Sequence, residues 1–305
     1  MELRERKQND ESLKEKIKWQ WQNRDFSPKK EQTSQFALYY FLTMFVLSLI
    51  ESLFVLIPTA YQRHHRWIMT GSFVWVMFIT LVNWHRSYFD TANYVKAETK
   101  QKYFADCTDT PQDWVHCFKC QVDRPPRAFH CDYCGKCMLK RAHHCFVTSS
   151  CIGFYNQKYF IMFSLWSVIA SSWLVYLQLL YLNIVLPVSE ASFIVYLPPV
   201  TLFKLIMGNI TFGQAFVVAH LFMNIPMIIT GGFFLFWHSL LSVEGATNYE
   251  AKQRKFPYKG TVNQNLKSVF GSVFYIPLLV LYPFRLEQDG DGILWKSRAK
   301  RVKGN

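Results

Sequence analysis

Not one lysine or arginine falls inside the four longest apolar stretches of this chain, and only one acidic residue, Glu51, does so. That scarcity argues against a transporter, whose spans would carry recurring polar groups. Residues 1–34 lack an apolar run and are dense in charge, so no cleavable signal peptide is expected there. Cysteine is nearly absent outside one short region: of eight, seven lie between Cys117 and Cys151 and only Cys107 stands apart. An odd, tightly spaced set of thiols fits metal binding plus one free thiol better than a disulfide framework. Acid is scarce as well, with 21 Asp and Glu against 34 Lys and Arg and a net charge of +13.

Half of the 305 residues are apolar and 17% are aromatic, yet mean hydropathy is close to zero. The average must hide very apolar and very polar stretches. The apolar ones run over about Phe36–Tyr61, Trp67–Trp84, Tyr159–Leu186 and Phe216–Val243. Each reaches the roughly 20 residues a bilayer span requires. Each is apolar all round, as a lipid-facing helix should be. A soluble core would need far more polar chain to cover four such helices. Glu51 within the first stretch must be paired or hydrated, and a hydrogen bond inside the bundle is expected for it.

The positive charge indicates sidedness. Residues 1–34 carry nine Lys and Arg, 85–158 carry eleven and 244–305 carry eleven, against two in 62–66 and one in 187–215. Both termini and the central loop therefore read as cytosolic, with 187–215 luminal. The basic segments abut a membrane, which accounts for them better than a nucleic-acid stripe does; no nucleic-acid partner is expected. Asn209-Ile210-Thr211 is a glycosylation sequon in the luminal loop. Phe274–Phe284 is apolar but too short to span, and is expected to lie in the interface or pack on the bundle. Lys296–Lys303 is a basic tail suited to anionic lipid heads.

The chemistry sits in the central loop. It reads Cys117-x2-Cys120, His130-Cys131-x2-Cys134-x2-Cys137, His143-His144-Cys145 and Cys151. Reducing cytosol disfavours disulfides. Paired Cys-x2-Cys units with further Cys and His are a strong zinc signal, because tetrahedral Zn²⁺ takes four S or N donors. Two closed sites need eight ligands; seven Cys and three His offer ten.

From Cys117 to Phe160 the chain resembles the Cys-rich domain of the DHHC family of protein S-acyltransferases (palmitoyltransferases). The resemblance rests on Arg124-Pro125-x-Arg127, His130-Cys131, His143-His144-Cys145, Cys151-Ile152-Gly153, Asn156 and Phe160. Beyond the fourth span, Thr247-Asn248-Tyr249-Glu250 is similar to the family's Thr-Thr-x-Glu motif, and Asn265 with Phe270-Gly271 to its C-terminal motif. The resemblance implies an all-α membrane protein of four transmembrane helices, with a small cytosolic double-zinc domain between the second and third. The parts are then 1–34 cytosolic, 36–84 with two spans, 85–158 the loop holding the Cys-rich domain (117–160), 159–243 with two spans, and 244–305 cytosolic.

It also implies one zinc on Cys117, Cys120, His130 and Cys137, and another on Cys131, Cys134, His144 and Cys151. Both would be structural, since neither leaves an open position. Cys145 would be the nucleophile that takes an acyl group from acyl-CoA and passes it to a cysteine of a membrane-associated protein, with His143 as its base. Arg124 and Arg127 are candidates to meet the CoA phosphates, or else balance charge locally on the zinc domain. Ala170, Ser171 and Ser172 would leave room for the acyl tail, or serve close helix packing. The implied location is an internal membrane, endoplasmic reticulum or Golgi.

Four features depart from the family pattern. Ala142 stands where the family has Asp, Phe146-Val147 where it has Pro-Trp, and Ser150 where it has Asn; its Pro-Gly motif is not evident in His85–Asn93. Without the carboxylate, the tautomer of His143 is unsupported. A slower or conditional enzyme is expected, and Ala142→Asp is expected to raise thioester formation by roughly ten- to a thousand-fold. The alternative is a catalytically silent relative that keeps the zinc fold and binds partners.

Overall fold

A computed structural model describes residues 29–89, 93–99, 102, 113–187, 193–284, 286 and 288–295. The charged N-terminal stretch before residue 29, Cys107 and the basic tail Lys296–Lys303 lie outside the described residues. Among the described residues four helical segments are long and apolar enough to cross a membrane, Gln32–Ala60, Arg63–Phe89, Gln157–Val185 and Phe212–Glu244, and the pair Val262–Phe270 and Val273–Leu281, bent by 58°, reaches that length and apolarity together. The first is α1 (Lys29–Glu51), a π-helical turn Ser52–Leu56 and the short α2 (Ile57–Ala60). The others are α3 (Arg63–Phe89), α4 (Gln157–Val185) and α6 (Phe212–Glu244), with α5 (Pro198–Ile206) in the connection between the last two.

Helix α4 is the hub, packing on α6 along its length and on α3. Lipid gives helices no hydrophobic reason to associate, so close approach must do it. Gly231 of α6 supplies one: a Cβ there would stand 3.1 Å from Val168 Cγ2. Polar side chains inside the spans mostly bond back to their own helix, as Thr80 does to Val76, Asn83 to Ile79, Ser164 to Phe160 and Asn224 to His220.

Glu51 bonds across helices instead. Its Oε2 accepts from His220 Nδ1 at 2.6 Å and from Gln178 Nε2 at 3.0 Å, joining the first span to α6 and α4. Ser48 Oγ lies 3.4 Å from His220 Nε2. Glu51 is the last residue before the π-helical turn.

The central loop folds as three two-stranded antiparallel hairpins: β1–β2 (Val115–Cys117, Val122–Arg124), β3–β4 (Phe129–Cys131, Lys136–Met138) and β5–β6 (His143–Cys145, Ser150–Ile152). Isolated hairpins of this size are marginal in water. These rest on the bundle. Trp84 Nε1 donates to Val147 O, and Ser150 Oγ and Asn156 Nδ2 both donate to Ser87 O near the end of α3. Asn156 is fully buried and also accepts from Gly153 N, fixing the entry to α4.

After α6 come α7 (Asn248–Gln253), α8 (Val262–Phe270) and α9 (Ile276–Leu281). Thr247 and Glu250 cap α7 reciprocally, side chain to backbone. Gly245 ends α6 at φ 63°, and a Cβ there would sit 2.3 Å from Asn265 Oδ1. Only glycine meets both demands. Asn265 Nδ2 in turn donates to Val243 O, locking α8 to the end of α6. Leu279 of α9 is buried with Phe270 against Tyr159, Ile161 and Met162 of α4, so Phe274–Phe284 packs on the bundle.

Candidate functional site

Strand alternation sorts the donors. Neighbours on a strand point to opposite faces, so His130 and Cys131 serve different clusters, and His144 faces away from His143 and Cys145. Cys117, Cys120, His130 and Cys137 bring one donor atom each within 4.8 Å of one another, and so do Cys131, Cys134, His144 and Cys151. The middle hairpin contributes to both, which ties the three hairpins into one body.

The donor geometry fits a tetrahedral ion. Cys120 Sγ lies 3.1 Å and Cys117 Sγ 3.8 Å from His130 Nδ1. His144 Nδ1 lies 3.7, 3.3 and 3.9 Å from the sulfurs of Cys131, Cys134 and Cys151. Zn–S near 2.3 Å and Zn–N near 2.0 Å make such edges about 3.6 Å. Both histidines thus offer Nδ1 and turn Nε2 outward. His144 Nε2 is 3.1 Å from Ser34 Oγ of α1, which is 2.7 Å from Ser149 Oγ. His130 Nε2 lies 3.6 Å from Asp132 Oδ1. Such outer contacts fix ring orientation and tautomer in metal sites.

On the other face, Cys145 is buried among Phe41, Trp84, Ile152, Phe160 and Phe163. Burial pushes its thiol pKa up, partly offset by hydrogen bonds from Thr148 and the backbone of Val147, so the resting thiol is protonated. His143 lies against Phe160, Phe234 and His238. Burial first, then His238, Arg141 and His144, holds its pKa down to about 3, so it is neutral near pH 7. Neither of its ring nitrogens has a hydrogen-bond partner among the described residues. Ala142 donates its N–H to Ile152 O and its carbonyl accepts from Asn248 Nδ2 at 2.9 Å.

The matching motifs close on one another. Arg127, expected at the CoA phosphates, is instead buried: Nε donates to Glu250 Oε1 at 2.9 Å and Nη2 to Glu250 Oε2 at 2.7 Å. Nη2 also donates to Gly245 O, and the guanidinium lies 4.3 Å over Trp295. Arg124 lines an open cleft of about 410 Å³ with Phe129, Tyr249, Lys255 and Tyr258. Between the spans a cavity of about 60 Å³ is lined by Phe41, Phe45, Ser48, Ala170, Ser171 and Met227, among others; Ser172 faces outward.

A family model for the DHHC palmitoyltransferase domain matches residues 111–255. The chain is 30% identical over 246 residues to a protein of Danio rerio named probable palmitoyltransferase ZDHHC24, covering 78% of this chain and 80% of that one. This chain belongs to the DHHC palmitoyltransferase family. It is also 26% identical over 193 residues to palmitoyltransferase ZDHHC22 of Rattus norvegicus, covering 61% of this chain and 73% of that one. As a DHHC protein with four apolar spanning helices it is a multi-pass membrane protein. Its DHHC domain carries two four-donor Cys/His clusters able to hold metal ions. Three residues of this DHHC site escaped the sequence reading. His238 and Ser34 are polar residues in or beside apolar helices with no motif around them. Asn248 lay within a motif but with no indication that it would reach position 142.

Proposed function

We propose that this chain is a protein S-palmitoyltransferase working through an acyl-enzyme on Cys145. The observation that carries this is the two-sided strand β5: His144 joins a metal cluster on one face, while His143 and Cys145 share the other, beside the inter-span cavity. Zinc fits both clusters; bound there it supplies rigidity and folding free energy to hairpins with little core of their own.

The Cys145 S–H proton moves to a nitrogen of neutral His143 as the sulfur attacks the acyl-CoA thioester carbon. The bond between Cys145 Sγ and the acyl carbon forms, the bond from the acyl carbon to the CoA sulfur breaks, and the CoA thiolate takes the proton from His143. A substrate cysteine thiol then gives its proton to His143 as its sulfur attacks the Cys145 thioester carbon, the bond from that carbon to Cys145 Sγ breaks, and Cys145 takes the proton back. Low-dielectric surroundings raise the cost of a free thiolate, so proton transfer and attack are tightly linked. The acyl chain leaves Cys145 past Phe41 toward the cavity bordered by Ala170 and Ser171. Arg124, on the open cleft, is the remaining arginine for a CoA phosphate. Both termini and the DHHC domain face the cytosol of an endomembrane, endoplasmic reticulum or Golgi, and the protein substrates present cytosolic cysteines.

Purified full-length protein incubated with labelled palmitoyl-CoA tests this. Hydroxylamine-labile label is expected on the Cys145 peptide and none on Cys145→Ser. Zinc-replete protein that takes up no label favours the second reading, a silent zinc-stabilised relative that binds partners. That reading draws support from Ala142 and from the unbonded ring of His143.

A further inference from the structure

Two imidazoles share one apolar box. His143 on β5 and His238 on α6 have ring centroids 5.1 Å apart. Phe234 lies parallel to His143 at 5.2 Å, and Phe160 stands edge-on to both rings at 5.2 and 5.0 Å. His238 is fully buried. Among the described residues none of the four ring nitrogens has a hydrogen-bond partner. A buried polar group left unbonded costs about 1–3 kcal/mol, so such a pair is an expensive arrangement unless the rings serve each other.

They are able to. A neutral imidazole has one N–H and one lone pair, so two of them are complementary with no third group. Ring nitrogens lie roughly 1.1 Å from the centroid, so at this separation two that face one another are about 3 Å apart, a hydrogen-bond length. The terminal torsion of histidine is broad, and turning a ring makes that bond without moving the backbone. Apart from the metal donor His144, the charged or basic side chains among the described residues that act on the pair are Arg141 on His143 and Lys140 on His238, and neither offers an acceptor. Position 142 is Ala, with its N–H given to Ile152 and its carbonyl taken by Asn248.

We propose that His238 is a positioning residue for acyl transfer: it accepts a hydrogen bond from the ring N–H of His143 and so leaves the other nitrogen of His143 bare toward Cys145. This rests on the reading of Cys145 and His143 given above. His238 then does from the fourth span what a carboxylate at 142 would do from the neighbouring residue. When His143 holds the thiol proton, both its nitrogens donate, one to the developing thiolate and one to the lone pair of His238. That proton stays on His143, without passing to His238, until the departing CoA thiolate takes it.

The test uses full-length protein in detergent as wild type, His238→Leu, His238→Gln and each of these with Ala142→Asp. Glutamine keeps an acceptor and leucine does not. Zinc content, the palmitoyl-CoA dependence of Cys145 acylation, and Cys145 alkylation by iodoacetamide mapped by mass spectrometry are measured on each. His238→Leu is expected to lower the saturating acylation rate roughly 10- to 100-fold, with zinc and KM unchanged. His238→Gln should regain most of it, and Ala142→Asp should rescue the leucine variant while adding only about a few-fold to wild type, less than the ten- to a thousand-fold expected from the sequence, because His238 already holds the ring. An unchanged rate in His238→Leu, a glutamine variant as slow as leucine, or no rescue by Ala142→Asp overturns the proposal. Should leucine fail to fold, His238→Phe fills the same box and is judged by the same criteria. If wild type takes no palmitoyl label, the acyltransfer reading fails by itself. The pair is then judged on alkylation, where slower labelling of Cys145 in His238→Leu supports it and equal labelling overturns it.

Discussion

At the scale of single residues, burial decides which groups carry charge. Lys140 is buried beside Arg127 and Glu250, and burial, with Arg127 adding to it, pushes its pKa down to about 7. Its ordinary value in an unfolded chain is about 10.4. A lysine whose folded pKa is lowered opposes folding below pH 7, where it must stay charged in an apolar place. That penalty fades as pH rises from 7 toward 10, because the unfolded chain then holds the extra proton. Lys140→Met is therefore expected to raise the thermal midpoint at pH 7, with the gain shrinking by pH 10; thermal unfolding at both pH values checks it. The division of the metal donors into two sets came from the family resemblance and matches the two clusters, while the presence of those donors in the central loop was legible because Cys and His are rare residues at fixed spacings. His238 was not, because one histidine in an apolar helix has no local pattern, and its meaning appears only where α6 passes β5.

Among the elements, the strongest device is the two-fold alternation of the short strands. It puts adjacent donors in separate clusters, and it leaves Cys145 and His143 on the face turned to the spans. The four spans were equally legible from the absence of charge, and the helices start a little before each apolar run. The hairpin registers and the lock between Gly245 and Asn265 were not, since they depend on side chains that meet only after folding. Glu51 shows the same limit. A carboxylate in an apolar run announces a partner but not which one, and here His220 and Gln178 come from two other spans. Glu51→Ala takes away the partner of His220 Nδ1 and of Gln178 Nε2 in the bundle. It is expected to lower stability by about 1–3 kcal/mol for each buried group left without its partner. Glu51→Leu combined with His220→Leu should recover much of that loss. Unfolding in mixed micelles with increasing SDS gives both numbers; a single variant as stable as wild type removes the cluster from the account of bundle assembly.

For the molecule as a whole, the metal clusters and the membrane helices form one object. Two zinc ions per chain are expected by elemental analysis, and Cys117→Ser or Cys134→Ser should misfold because a closed site loses a ligand. Ser34→Ala should act more gently, releasing one of the two zincs to a chelator roughly ten- to a hundred-fold faster while leaving the other unchanged. Among the described metal donors Ser34 bonds to His144 of one cluster, so a two-phase zinc release trace separates the clusters; equal acceleration of both phases would show that Ser34 supports the fold at large. Ser34→Thr, which keeps the hydroxyl, should behave as wild type. The buried ion pair of Arg127 with Glu250 carries this unity further. The arginine belongs to the loop before the third span, the glutamate to the chain after the fourth, and neither has solvent to fall back on. Homologous exchange between family members is therefore not modular. A hybrid that takes its Cys-rich loop from one parent and its tail from another inherits whichever half of the pair each parent happened to provide, and a loop grafted without its own residues 245–250 would arrive with a buried cation and no counter-ion.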